Sequence, residues 1–525
     1  MGGACSITPH QHPDNPHTDS GVKIPIKRPK LALHFKNRYF FRMFNDISHI
    51  KPPSTIHLTG ICGTGMGALA GLLKQAGYTV TGSDAGAYPP MSDELKRLKI
   101  PLFEGYTADN LSHNPDLVVI GNVCRADHVE AVAAREKGLT CASFPQTLSQ
   151  LFLNSRAPYV VAGTHGKTTT TSLLAFLLDK CGAAPSVLVG GITQDFGAGY
   201  KLGDGVPFVV EGDEYDSAYF EKRAKFLSYA PHCAILTSVE HDHIDIYPDR
   251  DSYFDAFRSF AELVHPGPLA VYSGDAGCRE ILETAHVTAN VITYGVVNDP
   301  FLFEPAWLAK PGGPNQFSLQ IEGIHHGTWT TPLAGAHNLR NTLAALILAH
   351  RGAGIPIKDL KNALPLFGGI ARRQQIVGTP NNITIYDDFA HHPTAVKVTL
   401  EALRDKHPKS RIIAAFEPRS ATACRKLHQE QYSHSFGEAN LALIAPVGRS
   451  LPANEALDTA MLADALNRNG VRAIAPTSLE HLQALVEKEV VPGDVVVLFS
   501  NGAFGGLHQK LVSALASDKY VEDSH

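Results

Sequence analysis

The sequence predicts an α/β protein built from three units in a row. Two stretches have the form strand, glycine turn, helix, one around Gly60–Gly67 and one around Gly163–Gly166. A third stretch, beyond residue 369, again alternates helices with apolar strands that end in polar residues. The length agrees, since 525 residues at about 150 per domain suggest three or so domains. The expected divisions are an extension over 1–53 and units over 54–156, 157–368 and 369–525.

Composition narrows the function classes. Hydrophobic residues make up 44%, enough to fill several cores, and the net charge of −5 gives no sign of a nucleic-acid partner. A phosphate-bearing small molecule would therefore be met by a local site and not by a global field. The 8 cysteines are scattered with no CxxC pair, as in a reduced, cytoplasmic chain. No apolar run approaches the ~18 residues of a membrane span. Residues 1–53 are rich in His, Pro, Lys and Arg and lack periodicity until Tyr39–Met43, which suits a disordered extension or an early start codon. Met1-Gly2 with Ser6 fits an N-myristoylation pattern only formally, because short patterns match by chance.

In the first unit Thr55–Thr59 is a strand, followed by a glycine turn and a helix through Leu69, Leu72 and Leu73. A second strand begins at Tyr78 and ends in Gly82-Ser83-Asp84. Gly63, Gly65 and Ala68 have dinucleotide-binding spacing, and Asp84 lies near the distance of a ribose ligand. Any nucleotide diphosphate can sit on such a turn. After the strand Leu117–Ile120 and a helix near His128–Lys137, the ligand is expected at the strands' carboxyl ends, near Gly63–Met66 and Ser83-Asp84.

The second unit opens with the apolar strand Tyr159–Ala162, the turn Gly163-Thr164-His165-Gly166, and Lys167-Thr168-Thr169 leading a helix whose apolar pattern runs from Thr170. Free N–H groups at a helix start favour an anion, Lys167 adds a point charge for β/γ-phosphates, and Thr168 offers a hydroxyl to Mg²⁺. Val161 stands where the usual spacing has a glycine, so only the Gly-Lys-Thr end fits. The plain alternative is a helix start capped by Thr164. Two turns for two phosphate-bearing ligands suit an enzyme that uses ATP on a nucleotide-linked substrate.

Further along, the strand from Phe208 ends in the acids Glu211, Asp213, Glu214 and Asp216, oxygen ligands of the kind Mg²⁺ prefers. Glu240-His-Asp-His243-Ile-Asp245 follows the strand Ala234–Thr237. Zinc on His241 and His243 lacks a nearby third ligand, so an Mg²⁺ site of Thr168, Glu211 and His243 is preferred over it and over a solvated acidic loop. Near Leu333–Ala345, Asn338 either caps a helix or turns its amide to an adenine edge. In the third unit the strands Thr384–Tyr386, Ile412–Phe416 and Val495–Phe499 run into Asp387-Asp388, Glu417-Pro-Arg419 and Ser500-Asn501-Gly502, with His391-His392 between the first of them and a helix over Thr394–Arg404. Such residues at strand ends face a crevice, though each alone could be a cap or a surface pair.

Seven stretches in this order, GTHGKTTT, EGDEYD, EHDHID, GAHNLRNTLAA, ARRQ, DDFAHHPTA and SNGAFGG, resemble the Mur ligase family from Thr55 to the C-terminus. The resemblance implies a Rossmann-like N-terminal domain for UDP-N-acetylmuramate, a central P-loop ATPase-type domain, and a Rossmann-like C-terminal domain that closes on ATP and binds the peptide. It further implies ATP and Mg²⁺. Gly163–Thr169 and Lys167 would hold the phosphates, and Thr168, Glu211 and His243 the metal. Asn338 would meet the adenine, with Arg373 and Asp388 at the phosphates and ribose. Lys167, His243, Glu211 and Arg373 would form the catalytic set. Gly63, Thr64, Gly65, Met66, Ser83 and Asp84 would hold UDP-N-acetylmuramate, and His391, His392, Arg419 and Asn501 the peptide.

Within the family, GICGTGMGALA, GSDAGAYPPMS and EGDEYDSAYFEKRAKFLSYAP with SNGAFGGLHQKL are similar to the branch that recycles the murein tripeptide L-Ala-γ-D-Glu-meso-diaminopimelate. The branch that adds L-alanine is the alternative. Gly212 departs from the family's alanine, and Arg258 stands where several members carry a carbamylated lysine, so no carbamate is expected and Arg258 could supply that positive charge itself. A monomer or weak homo-oligomer is expected. Two readings from other classes are weaker. A nicotinamide-dependent oxidoreductase leaves the Lys167 loop without a purpose, and a non-catalytic nucleotide-binding regulator does not need so many carboxylates and histidines at strand ends.

Overall fold

A computed structural model describes residues 46–87, 91–242, 246–247, 249–313, 315–420, 422–452 and 454–516. The expectations for residues 1–45, myristoylation included, lie outside the described residues, as does His243.

The first sheet has five parallel strands in the spatial order Leu102–Glu104, Thr79–Asp84, Thr55–Thr59, Leu117–Ile120, Cys141–Ser143. The strand order reverses direction between Thr55–Thr59 and Leu117–Ile120, which opens a crevice at their carboxyl ends. The turn after Thr55–Thr59 feeds the helix Thr64–Gln75, capped at Gly63 with no side-chain cap bond. Residues 46–53, expected to belong to the extension, correct that boundary. Ile47 and Ile50 are buried in the core, and the Tyr78 hydroxyl donates to the Ile50 carbonyl at 3.1 Å.

The central sheet has ten strands. Its parallel heart orders Trp307–Pro311, Asn290–Val296, Pro268–Tyr272, Cys233–Leu236, Ala157–Ala162, Pro207–Gly212 and Ser186–Leu188. Antiparallel strands extend it at both edges, Gln316–Ile321 and Ile324–Thr330 on one side and Tyr200–Lys201 on the other. Both faces of Ala157–Ala162 are covered: Val160 and Ala162 join one apolar cluster, Tyr159 and Val161 another. Alternating side chains point to opposite faces, so a strand buried on both reads as a continuous apolar run.

The third sheet has six strands in the order Gln375–Gly378, Thr384–Asp388, Val495–Phe499, Ile412–Phe416, Leu441–Ile444, Arg472–Ile474, parallel except for the first. Val495, Val497 and Phe499 pack on one face, Val496 and Leu498 on the other. Asp388, Glu417 and Ser500 therefore emerge together at the carboxyl ends of three adjacent strands.

Among the described residues, no helix is long and apolar enough to cross a membrane.

Candidate active site

The second glycine turn is shaped by what surrounds it. Gly163 has φ +133°, and a Cβ there would stand 2.1 Å from the Thr237 hydroxyl. Gly166, at φ +79°, is the N-cap of the helix Lys167–Lys180, and a Cβ there would stand 2.4 Å from Asn341 Oδ1. Only glycine fits both a left-handed backbone and so close a neighbour. No side chain caps this helix, which settles the Thr164 alternative: the Thr164 hydroxyl donates to the Glu240 carbonyl at 3.1 Å and lies 3.0 Å from the Tyr253 hydroxyl. The helix also begins at Lys167, three residues before its apolar pattern, with its first turn of amides presented at Gly166. The backbone N–H groups of Thr164 and His165 are already engaged, although His165 itself lines the cavity beside the turn. Their N–H groups donate to Ser238, at 2.8 Å to its carbonyl and 3.2 Å to its hydroxyl.

Lys167 donates to the Gly163 carbonyl at 2.6 Å and pairs with Glu214 at 2.9 Å. Burial presses the Lys167 ammonium pKa down, but Glu214, Asp213 and Glu211 outweigh it and hold the pKa above its usual value. The amine is thus a fixed positive charge beside the loop. Glu214 was one of four acids in the sequence; its pairing with Lys167 shows only in space.

Thr168 donates to Glu211 at 2.8 Å, and the Gly190 N–H donates to the other Glu211 oxygen at 2.8 Å. Desolvation and then the nearby Asp213 raise the Glu211 pKa. A hydroxyl beside a carboxylate, with a second carboxylate at Asp213 close by, is an oxygen donor set suited to a hard divalent cation. The residues fit Mg²⁺.

A cavity of 530 Å³ lies between this turn and the third domain. His165, Gly166, Thr168 and Thr169 line it from one side, Arg373 and Asp388 from the other. Asn338 also lines it, from inside the helix Ala336–Ile347, whose N-cap is Gly335; the capping alternative for Asn338 is thereby corrected. Its amide donates to the Ala334 carbonyl at 2.8 Å. His337, which no site expectation included, lines the same wall, and burial followed by Arg340 and Arg373 lowers its pKa to about 3. Asp388 is buried, accepts the N–H groups of Gln374 and Ala390 at 2.8 Å each, and has its pKa raised by desolvation. It thus ties the Arg372–Gln374 turn to the strand end.

A second cavity, of 790 Å³, lies at the first glycine turn. Gly63, Thr64, Gly65, Met66 and Asp84 all line it. Asp84 accepts the Cys62 N–H at 2.8 Å, which holds the turn against the strand end. Ser83 does not line this cavity: it is fully buried and donates to Glu130 at 2.6 Å, with His57 Nε2 at 3.3 Å. Asp213, Tyr215, Ser217 and Lys225 of the central domain close the opposite wall. Lys225 is held 3.2 Å from Asp213 and 5.2 Å from the Phe144 ring centroid. No reading of residue spacing brings Lys225 to this turn, because the contact crosses domains.

At the third sheet's carboxyl edge, His391 Nδ1 lies 3.1 Å from the Phe389 carbonyl, and Arg419 pairs with Glu417 at 3.6 Å. Asn501 Oδ1 and His392 Nδ1 are buried without a hydrogen-bond partner. Unsatisfied buried polar atoms at a strand-end crevice are what a polar ligand would satisfy.

Three family models match along the chain: the Mur ligase family catalytic domain over 55–156, the Mur ligase middle domain over 161–349, and the Mur ligase glutamate ligase domain over 372–502. The chain belongs to the Mur ligase family. It is 37% identical over 472 residues, 88% of this chain and 98% of the relative, to the UDP-N-acetylmuramate–L-alanyl-gamma-D-glutamyl-meso-2,6-diaminoheptandioate ligase of Escherichia coli K12. It is 36% identical over 399 residues, 75% of this chain and 83% of the relative, to the UDP-N-acetylmuramate–L-alanine ligase of Syntrophomonas wolfei. A solved murein peptide ligase from Psychrobacter arcticus superposes with a TM-score of 0.67 at 32% identity, covering 88% of this chain and 99% of that one.

Proposed function

We propose that this chain is the ATP-dependent ligase that joins the tripeptide L-Ala-γ-D-Glu-meso-diaminopimelate to UDP-N-acetylmuramate, a step of peptidoglycan recycling. The observation that carries the proposal is the run Glu211–Ser217. At one end Glu211 bonds Thr168 at the phosphate turn; at the other Asp213, Tyr215 and Ser217 line the cavity of the first turn. One seven-residue segment thus connects a site suited to a γ-phosphate with a site suited to a sugar nucleotide. Over comparable lengths the chain is 37% and 35% identical to two tripeptide ligases and 34% and 31% identical to two L-alanine ligases, a margin that supports this acceptor over L-alanine.

The chemistry follows from what a carboxylate cannot do. Its carbonyl is a poor electrophile toward an amine. Transfer of the γ-phosphoryl of ATP to the lactyl carboxylate forms an acyl phosphate and ADP. The peptide amine then attacks the carbonyl, the C–O bond to phosphate breaks, and the amide forms with release of phosphate and a proton. Both transition states gather negative charge, so fixed positive charge and positioning dominate.

In this proposal the Gly166–Thr169 amides and Lys167 hold the ATP phosphates. Thr168 and Glu211 would hold Mg²⁺, with His243 at a second position, and the metal would neutralise charge between phosphate and carboxylate. Asn338 meets the adenine, and Arg373 and Asp388 reach the nucleotide from the third domain. Gly63–Met66, Asp84 and Lys225 hold UDP-N-acetylmuramate. His391, His392, Arg419 and Asn501 receive the peptide. The three domains divide near residues 156 and 368, and the enzyme works in the cytoplasm as a monomer or weak homo-oligomer.

The test is phosphate release from ATP with Mg²⁺ and UDP-N-acetylmuramate, comparing tripeptide with L-alanine as acceptor. Release with tripeptide and little with L-alanine is expected. The reverse would make the chain an L-alanine ligase, and release with neither would remove UDP-N-acetylmuramate from the proposal.

A further inference from the structure

His165 in the phosphate turn, Glu240 in the loop after the strand Cys233–Leu236 and His392 at the head of the helix Pro393–Lys406 converge where the central and third domains meet. One ligand atom from each lies within 4.8 Å of the others. His165 Nε2 stands 2.9 Å from Glu240 Oε2, and the His165 and His392 ring centroids are 4.9 Å apart. The two central members are held in place. The His165 N–H donates to the Ser238 hydroxyl, the His165 carbonyl accepts from Thr237 at 2.6 Å, and the Glu240 N–H donates to the Thr164 hydroxyl at 2.9 Å. His392 brings a buried Nδ1 that no protein group satisfies.

We propose that His165, Glu240 and His392 form a binding site for a divalent cation of the zinc class, separate from the Mg²⁺ position at Thr168 and Glu211. Two imidazoles and one carboxylate with a fourth position open are a zinc-type donor set, whereas Mg²⁺ prefers oxygen alone. A tetrahedral ion would draw the three ligand atoms to about 3.3 Å from one another, within reach of small side-chain rotations. The His428 ring lies edge-on to the His392 ring with centroids 4.8 Å apart, and both its nitrogens are unsatisfied.

Two ligands belong to the central domain and one to the third. A cation bound here would tie the central and third domains together across their seam.

The experiment titrates Co²⁺ into the full chain at saturating Mg²⁺ without nucleotide and reads visible d–d absorption. One equivalent should give the intense absorption of four-coordinate Co²⁺, displaced by Zn²⁺. Binding should weaken tenfold or more in His392→Gln, His165→Gln and Glu240→Gln and stay unchanged in Glu211→Gln. Thermal unfolding without added metal identifies any variant that fails to fold, and the remaining two then carry the reading. Zn²⁺ should raise the Tm of the unaltered chain and not that of a folded ligand variant. Only weak six-coordinate absorption, or a four-coordinate signal that survives His392→Gln and disappears in Glu211→Gln, would overturn the site.

Discussion

The two crevices of the molecule are bounded by different seams. Beside the first, the N-terminal and central domains share one apolar cluster that runs from Ile56 and Leu58 through Phe144 and Phe152 to Phe208 and Val210. The Tyr200 ring lies over Gly71, and its hydroxyl donates to Glu94 at 2.5 Å and accepts from Arg97 at 3.2 Å. Beside the second crevice, the third domain keeps its own two clusters. It meets the central domain through two backbone bonds near Gly369, from Ala371 to Ile192 and from Gln194 to Gly369, through Ile370, which joins a central apolar cluster, and through the polar residues around His165 and His392. Opening an apolar seam exposes its whole area to water, while a polar seam exchanges its hydrogen bonds for water at small net cost. The difference predicts that the first two domains hold together and that the third is the part that moves.

The largest effect that would test this contrast comes from Lys167→Ala. It should lower turnover by about 10²–10³-fold, as loss of a preorganised charge does, and leave calorimetric affinity for UDP-N-acetylmuramate unchanged. An equal loss of that affinity would mean the crevices are not independent. Next is Gly71→Ala, whose Cβ would stand 2.1 Å from the Tyr200 ring. Overpacking at the shared core should cost about 1–3 kcal/mol in chemical denaturation, with turnover per folded molecule kept. Lys225→Ala should raise KM for UDP-N-acetylmuramate about tenfold, roughly 1.4 kcal/mol, without changing KM for ATP; a shift in both would mean that Lys225 also acts on nucleotide binding.

The smallest effect is on stability against pH, and it belongs to the polar crevice. The pKa values of His337 and His392 are both lowered, from 6.5 to about 3. Below pH 6.5 the unfolded chain takes up protons that the folded chain refuses. Stability is therefore full above that pH and falls as pH drops from 6.5 toward 3, by at most about 1.4 kcal/mol per pH unit for each ring and less where solvent reaches it. Urea midpoints between pH 7 and 5 should show the slope, flattened in His337→Asn.

What could be read from sequence follows from how each residue is placed. Thr55–Thr59, Leu117–Ile120, Ile412–Phe416 and Val495–Phe499 were legible to the residue, because short apolar runs stop at glycine or a polar group. The start at Lys167 was not, since its first turn is polar although Thr169, Thr170 and Thr171 are buried. The antiparallel edge over Trp307–Thr330 was not read either; Ile324–Thr330 is mostly polar and exposed, with little alternation to betray a strand. Ser83 shows the limit for sites. Being polar at a strand end suggested a ligand, but strand alternation points it inward to Glu130, 47 residues away. Lys225 and His392 gain their neighbours only through domain packing.

The most direct test of the connection made by Glu211–Ser217 is an isotope transfer. UDP-N-acetylmuramate labelled with ¹⁸O in its lactyl carboxylate is turned over with ATP, Mg²⁺ and tripeptide, and the released phosphate is weighed by mass spectrometry. One ¹⁸O in each phosphate is expected, because the carboxylate oxygen that accepts the phosphoryl group leaves with it. Phosphate free of label, with amide still formed, would contradict an acyl phosphate and the junction of the two crevices.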